Sequence, residues 1–486
     1  MTQPEATHVE VLIVGAGLSG IDAAVHISRA FPDKSYAVLE QRGELGGTWS
    51  LFKYPGIRSD SDMYTLGFGF RPWDGKHAIA DGPDILHYLR ETAAEYGVDE
   101  HIRYHRKATT FEWSSDEKRW TVTVENSETG ETETLTCDFL FGTSGYYNYD
   151  AGYTPDWPGI DDYQGELVHP QHWPEDLDYK DKRIVVIGSG ATAVTLIPSM
   201  ADEAGHITML QRTPTYIVSQ PKIDPVAETI KKIAPRKQQA KLIHARYAAI
   251  TIGFYEFCRR NPRAAKVILK RWARMHLPKD FDYDKHLTPP YDPWDQRLCV
   301  VPNADLFRAI HSHKVDVVTD HIERFTSDGI LLQSGEELKA DIVVTATGLD
   351  VVAMGGAEFV VDNELVDLGD TFTYKALMLS GVPNFAFIIG YSNASWTLKA
   401  DLVCEYVVRL LKHMDKHGHR VVVPKVRDDL KPEPVFDLTS GYLKRAAGKL
   451  PVAGDKDPWR LKHNWYFDKK FLRSSKIDDG VVEFRA

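Results

Sequence analysis

Gly15, Gly17 and Gly20 stand in the run Gly15-Ala16-Gly17-Leu18-Ser19-Gly20, which follows an apolar stretch from His8 to Val14. Glycines at this spacing let bare backbone close on a pyrophosphate. The first permits a tight turn, the second admits the phosphates, and the third lets the following helix pack on the strand. The phosphates would face the positive end of that helix. Further on, Glu40 ends a second apolar stretch, Tyr36–Leu39, where a carboxylate can accept hydrogen bonds from ribose hydroxyls. The pattern returns at Gly188-Ser189-Gly190-Ala191-Thr192-Ala193, with Ala193 in the place of the third glycine. Its second strand ends in Gln211-Arg212-Thr213 instead of an acid. Arg212 offers a charge-assisted fork to a 2′-phosphate that a carboxylate would repel, and Thr213 adds a hydroxyl. The acid-tipped site therefore reads as an FAD site and the arginine-tipped one as an NADP(H) site. A flavin accepts a hydride and hands electrons on, including to oxygen, so the pair implies redox chemistry between two stacked rings.

Placing these groups requires strand, turn and helix twice over. The fold class expected is α/β, with two Rossmann-like three-layer dinucleotide-binding domains and a helical insertion. The chain adds a helical stretch at 83–96, alternating strands at 108–113 and 120–124, and buried runs at 139–145 and 341–348. Each of those runs delivers Gly145 or Gly348 to a turn where backbone can touch a cofactor. Residues 384–391 and a helix to about 413 read as the return of the first unit. The division expected is 1–147 with 338–486 for FAD, and 148–337 for NADP, including a basic helical insertion at 222–290. The last 70 or so residues read as a cap.

At 486 residues and 43% hydrophobic content the chain can bury two or three cores. No apolar run of eighteen residues occurs, and the polar Met1 to His8 leaves no room for a signal peptide. Cys137, Cys258, Cys299 and Cys404 are far apart, which suits reduced cytoplasmic thiols. They form no Cys-x-x-Cys redox relay or metal clamp, and the disulfide reductases, which also carry two dinucleotide folds, need such a pair. Charge is uneven: 225–279 holds fourteen Lys and Arg against Glu228 and Glu256, whereas the whole chain has a net charge of −11. Such basic amphipathic helices either pack an apolar face on the NADP unit, with the basic face solvated or turned to the acidic remainder, or lie peripherally on an anionic membrane surface. Nothing else resembles a nucleic-acid-binding module.

Tyr163, Gly165, His169, Trp173 and Pro174 form the string Y-x-G-x-x-x-H-x-x-x-W-P. It resembles the F-x-G-x-x-x-H-x-x-x-W-P/D signature of the Baeyer–Villiger monooxygenases, which lies in the linker between their two nucleotide domains. The departure is Tyr163, whose hydroxyl needs a partner if it is buried. Gly46-Gly47-Thr48-Trp49 and Tyr54-Pro55-Gly56-Ile57-Arg58-Ser59-Asp60 resemble the flavin loop of the class B flavoprotein monooxygenases, and the wording at 54–68, 293–302 and 457–461 is similar to their actinobacterial ethionamide-activating branch.

The resemblance implies an NADPH- and O2-dependent enzyme that converts ketones to esters or lactones through a C4a peroxide of FAD, and that also oxidises sulfur compounds. It places Gly47, Thr48, Trp49, Ala108, Gly145 and Gly348 on FAD and Arg58 on NADP. It assigns Arg297, within Trp294-Asp295-Gln296-Arg297, to the charge that stabilises oxyanions, and Asp60 to the carboxylate that orients it. Without the resemblance, Arg297 reads as a salt-bridging arginine and Asp60 as a turn cap. Many relatives carry lysine where Gln296 stands, which leaves more of the 2′-phosphate selectivity to Arg212. His169 reads as a linker residue that couples domain positions, and Asn393 and Trp396 as neighbours of the flavin edge. The alternatives are a heteroatom-directed flavin monooxygenase, whose signature lacks the tryptophan at Trp173, and an uncoupled NADPH oxidase.

Overall fold

The structure is a computed structural model and describes residues 7–426, 429–436 and 438–486. Two sheets carry the two glycine-rich turns. In the first, Thr7–Val14 pairs in parallel with Tyr36–Leu39 on one side, Val14 opposite Leu39, and with Thr132–Gly142 on the other, Val14 opposite Gly142. The matched strand ends bring Gly15, Glu40 and Thr143 to one edge. Arg106–Ser114, Arg119–Asn126 and Thr132–Gly142 follow one another antiparallel, and Glu358–Val361 and Phe385–Phe387 come back to the same sheet from far along the chain. Leu18–Ala30 packs between this sheet and the long helix Thr397–His417. Ile21, Ala24 and Val25 meet Ala400, Val403 and Val407 in one core, all of them fully buried. Each large apolar side chain withdrawn there contributes about 1.5–3 kcal/mol.

The second sheet is parallel throughout, in the order Val315–Thr319, His206–Gln211, Arg183–Ile187, Ile342–Thr345, Glu166–Val168. Its inner strands Arg183–Ile187 and Ile342–Thr345 are near-continuous Ile and Val runs, as expected where both faces are covered. This order moves one boundary. Ile342–Thr345 was expected to reopen the first unit at 338, but it pairs with Arg183–Ile187 and Glu166–Val168 and closes the second sheet. A buried Ile-Val-Val-Thr strand suits either sheet, and its register here is decided by its neighbours. The first unit resumes beyond Leu349–Val351, which pairs with Tyr147–Gly152 as a two-stranded crossover.

The basic segment folds as Pro225–Ile233, Arg236–Arg260 and Pro262–Arg274. Its apolar face is divided between the units, where packing on the NADP unit alone was one reading. Leu269 packs with Tyr216 and Leu298 of the second unit, whereas Ile243 and Tyr247 pack with Tyr64 and Ala78 of the first. The helix Arg236–Arg260, whose Phe254 also packs against the Tyr216 and Leu298 cluster, thus straps the two units together. Among the described residues, no helix is long and apolar enough to cross a membrane.

Candidate active site

A cavity of about 1070 Å³ opens between the two sheets, and both glycine-rich turns face it. Gly15 has φ +105°, and a Cβ there would lie 2.8 Å from the Thr143 carbonyl oxygen, so only glycine fits. A Cβ on Gly20 would lie 1.8 Å from the Gly15 oxygen. Gly20 lies behind the cavity wall and sets helix-to-strand contact, and Ala193, fully buried, takes that place in the second turn. The helices Leu18–Ala30 and Ala191–Met200 begin at Gly17 and Gly190 with no side chain capping them, which leaves their first N–H groups open to the cavity.

These surroundings fit two dinucleotides. At the first turn, Gly17 and Gly47 bring bare backbone together, a Gly47 Cβ lying 3.0 Å from Gly17 Cα. Glu40 accepts from Ala16 N–H and Arg42 N–H at 3.0 Å each, which fixes its carboxylate at the strand tip. Ser19, Thr48, Trp49, Ala108, Gly145 and Gly348 also line the cavity. At the second turn, Gly188, Ser189, Gly190, Ala191, Thr192 and Thr213 form the wall, and Ser189 Oγ donates to the Thr213 carbonyl at 3.1 Å. Arg212 stands exposed on the rim with no carboxylate partner among the described residues. Arg58 also lines the cavity, but its two Nη atoms are held by Asp305 and the Val194 carbonyl, so it ties the flavin loop to the second unit, while its buried Nε has no hydrogen-bond partner among the described residues.

Arg297 and Asp60 meet between the two turns, Nη2 to Oδ1 at 2.8 Å, both half-buried. Asp60 holds the guanidinium well above its ordinary pKa, so it stays charged under all working conditions. Neutral phenols surround the pair. Burial pushes Tyr146 well above its usual range and Tyr147 up to about 12, and their hydroxyls are 2.9 Å apart. Tyr146 stacks on Trp396, whose indole N–H donates to Ser19 Oγ at 2.7 Å. Asn393, by contrast, turns away and donates to the His463 carbonyl.

The linker string lies outside the cavity. Tyr163 is buried, and its hydroxyl finds the partner it needs in the Ala340 carbonyl at 3.1 Å. Gly165 leaves room for that ring, since a Cβ would lie 2.3 Å from the Tyr163 hydroxyl. His169 Nδ1 accepts from Gln171 N–H, so its Nε2–H points to the Gly348 carbonyl at 3.4 Å. Gln171 in turn donates to the carbonyls of Asn148 and Tyr149. Trp173 packs on the second core, and Pro174 follows it. The string fastens the crossover through these bonds.

Two contributions escaped the sequence reading. Tyr146 and Tyr147 follow Gly145 directly, yet only the fold aims them at Arg297. Phe436, Leu438 and Tyr442 line the cavity from the C-terminal region read as a simple cap, and Thr439 N–H bonds to Asp295 O at 2.8 Å, beside Arg297. All four cysteines are buried and unpaired, and burial pushes Cys299, at the cavity wall, up to about 12.

Comparison with known proteins agrees with this arrangement. Residues 78–232 match the family described as flavin-binding monooxygenase-like, and 13–81 match the NAD(P)-binding Rossmann-like domain. The chain is 53% identical over 479 residues to the FAD-containing monooxygenase EthA of Mycobacterium tuberculosis, covering 98% of each. It is 50% identical to the putative FAD-containing monooxygenase MymA of the same organism, covering 99% of this chain and 98% of that one. Its fold is that of OTEMO in complex with FAD and NADP, with a TM-score of 0.78 at 20% identity over 99% of this chain and 100% of that one.

Proposed function

The chain belongs to the class B flavin monooxygenases of the Baeyer–Villiger type, and from that premise we propose that it uses FAD, NADPH and O2 to insert one oxygen atom beside a ketone carbonyl, giving an ester or lactone. The observation that carries this reading is the Arg297–Asp60 pair, set between two uncapped helix N-termini. When bound, the flavin would supply the activated oxygen, after reduction by the nicotinamide.

The rest falls to this chain's own side chains. Arg297 offers a permanent planar charge to the oxyanion that develops as the ketone carbon is attacked. Asp60 orients that fork through its Oδ1 bond to Nη2. The phenols Tyr146, Tyr147 and Tyr442 close the space around it and keep it dry, which strengthens each charge interaction inside. Arg212 on the rim selects the 2′-phosphate of NADPH, and the bare backbone at Gly190 admits the pyrophosphate.

Phe436 and Leu438 add apolar surface to the cavity wall, so a small apolar ketone or sulfide suits it. Large apolar side chains exposed on the basic segment, Ile233 at 77% and Val267 at 67%, support peripheral attachment to an anionic membrane surface, from which such substrates could be drawn. The test is turnover of a simple aliphatic ketone with NADPH under 18O2. An ester carrying one 18O is expected, and hydrogen peroxide as the sole oxygen product would overturn the reading.

A further inference from the structure

Away from the cavity, three imidazoles converge at the C-terminal end of the helix Thr397–His417. His413 and His417 are one turn apart on the same face, the i, i+4 spacing that brings two histidines onto one metal. Gly418 then adopts φ +70°, and His419 N–H returns to the Met414 carbonyl at 3.0 Å, which closes the helix and folds His419 back toward the other two. Ring centroids are 4.2 Å apart for His413 and His417, 5.8 Å for His417 and His419, and 6.0 Å for His413 and His419.

We propose that His413, His417 and His419 form a binding site for a divalent transition-metal ion of the zinc class. One ligand nitrogen from each lies within 4.8 Å of the others. Around tetrahedral zinc, with bonds of about 2.0–2.1 Å, neighbouring nitrogens sit roughly 3.3–3.4 Å apart. The remaining gap closes by small side-chain rotations at a helix end, where His417 is exposed. The tautomer is already prepared. His417 Nδ1 lies 2.8 Å from the His413 carbonyl, which can only accept, so the N–H is there and the Nε2 lone pair points outward. Three nitrogen donors leave the fourth position to water, and soft or borderline ions such as Zn2+, Ni2+ or Cu2+ suit them better than Mg2+ or Ca2+. The Asp478 carboxylate acts on His413 and favours a bound cation, whereas Lys416 on the same helix opposes it.

The site has a structural consequence. Phe484 stacks on His419 and packs at a tilt against His413, at 5.1 and 5.0 Å between centroids, and belongs to Val482–Arg485, which pairs with Val421–Pro424. A metal here would staple the end of the helix Thr397–His417 to the residues leading into Val421–Pro424, the strand on which the C-terminal strand is paired.

The test uses the full-length, flavin-loaded chain without a polyhistidine tag, stripped with chelator and titrated with zinc chloride. One zinc per chain and a raised unfolding temperature are expected. His417→Gln and His419→Gln should each weaken zinc binding by about tenfold or more, with flavin content and NADPH oxidation unchanged. Cobalt in place of zinc should give wild-type protein the visible bands of tetrahedral imidazole coordination, a readout that needs no variant. Zinc uptake that is absent in wild type, or equal in the variants, would overturn the site, and so would cobalt bound without those bands.

Discussion

Arg297 and Asp60 are 237 residues apart in the chain, and their side chains meet at 2.8 Å. Asp60 ends the loop that runs from the first glycine-rich turn, and Arg297 precedes the strand Cys299–Pro302, so the contact forms only when the two units close on each other. The pair is therefore both a latch between the units and the charged floor of the cavity.

Arg297→Ala should leave the protein yellow and still able to oxidise NADPH, while ester formation falls by about 10²–10³-fold, the range for loss of one oxyanion donor. Asp60→Asn keeps the shape of the latch but loosens the guanidinium, and should give a smaller loss. Coupled assays of NADPH consumption and ester yield check both. Undiminished ester from Arg297→Ala would remove the guanidinium from its role.

The glycine fingerprints, Glu40 and Arg212 were legible because each depends on residues close by in sequence: a turn that only glycine can make, and a strand tip that presents one side chain. The pairing of Asp60 with Arg297 was legible only through resemblance, since neither residue carries a local sign of the other. The strand Ile342–Thr345 was read as a strand but given to the wrong sheet, because its buried run matches the neighbours of either. Phe436, Leu438 and Tyr442 were not legible as cavity walls, because their position is set by the docking of residue 439 on Asp295.

The two nucleotide sites can be separated by glycine replacements. Gly20→Ala drives a Cβ to 1.8 Å from the Gly15 oxygen and should abolish flavin binding and stable folding together. At Gly190 a Cβ meets nothing within 4 Å, so Gly190→Ala should fold, keep its flavin, and lose NADPH affinity by roughly tenfold or more as the methyl enters the pyrophosphate cradle. Arg212→Ala should cost about 10–100-fold in KM for NADPH, the worth of a charged hydrogen bond, and leave KM for NADH unchanged. Equal losses with both nicotinamides would remove Arg212 from 2′-phosphate recognition.

Asp62 makes stability depend on pH. Its carboxylate accepts from Thr65 N–H at 2.8 Å and Thr65 Oγ at 2.7 Å, yet burial outweighs these bonds and pushes it up to about 6. The folded protein thus holds this proton more tightly than the unfolded chain. The stabilisation is complete below pH about 4 and is lost as pH rises through 6, a change of about 3 kcal/mol. Asp62→Asn keeps an acceptor for Thr65 and cannot ionise. Denaturant unfolding between pH 4 and 7 should show wild type falling relative to this variant, and parallel curves would contradict the assignment.

The basic segment makes the last prediction. Ile233, Val267 and Met275 are 77%, 67% and 67% exposed, so replacing all three with Ser should leave folding and flavin content intact. Lys232, Arg236, Lys237, Arg263, Arg271 and Arg274 are exposed in the same helices or at their ends. Each basic residue near an anionic bilayer contributes about 1 kcal/mol, and the apolar side chains add the burial of their methyl groups. The wild-type chain should therefore sediment with phosphatidylglycerol vesicles, release as salt rises, and ignore phosphatidylcholine vesicles. The triple Ser variant should partition about tenfold less, because three apolar contacts are gone while the charge is unchanged. If wild type and variant bind anionic vesicles equally, the apolar side chains take no part, and if neither binds, the basic helices serve only to strap the two nucleotide units together.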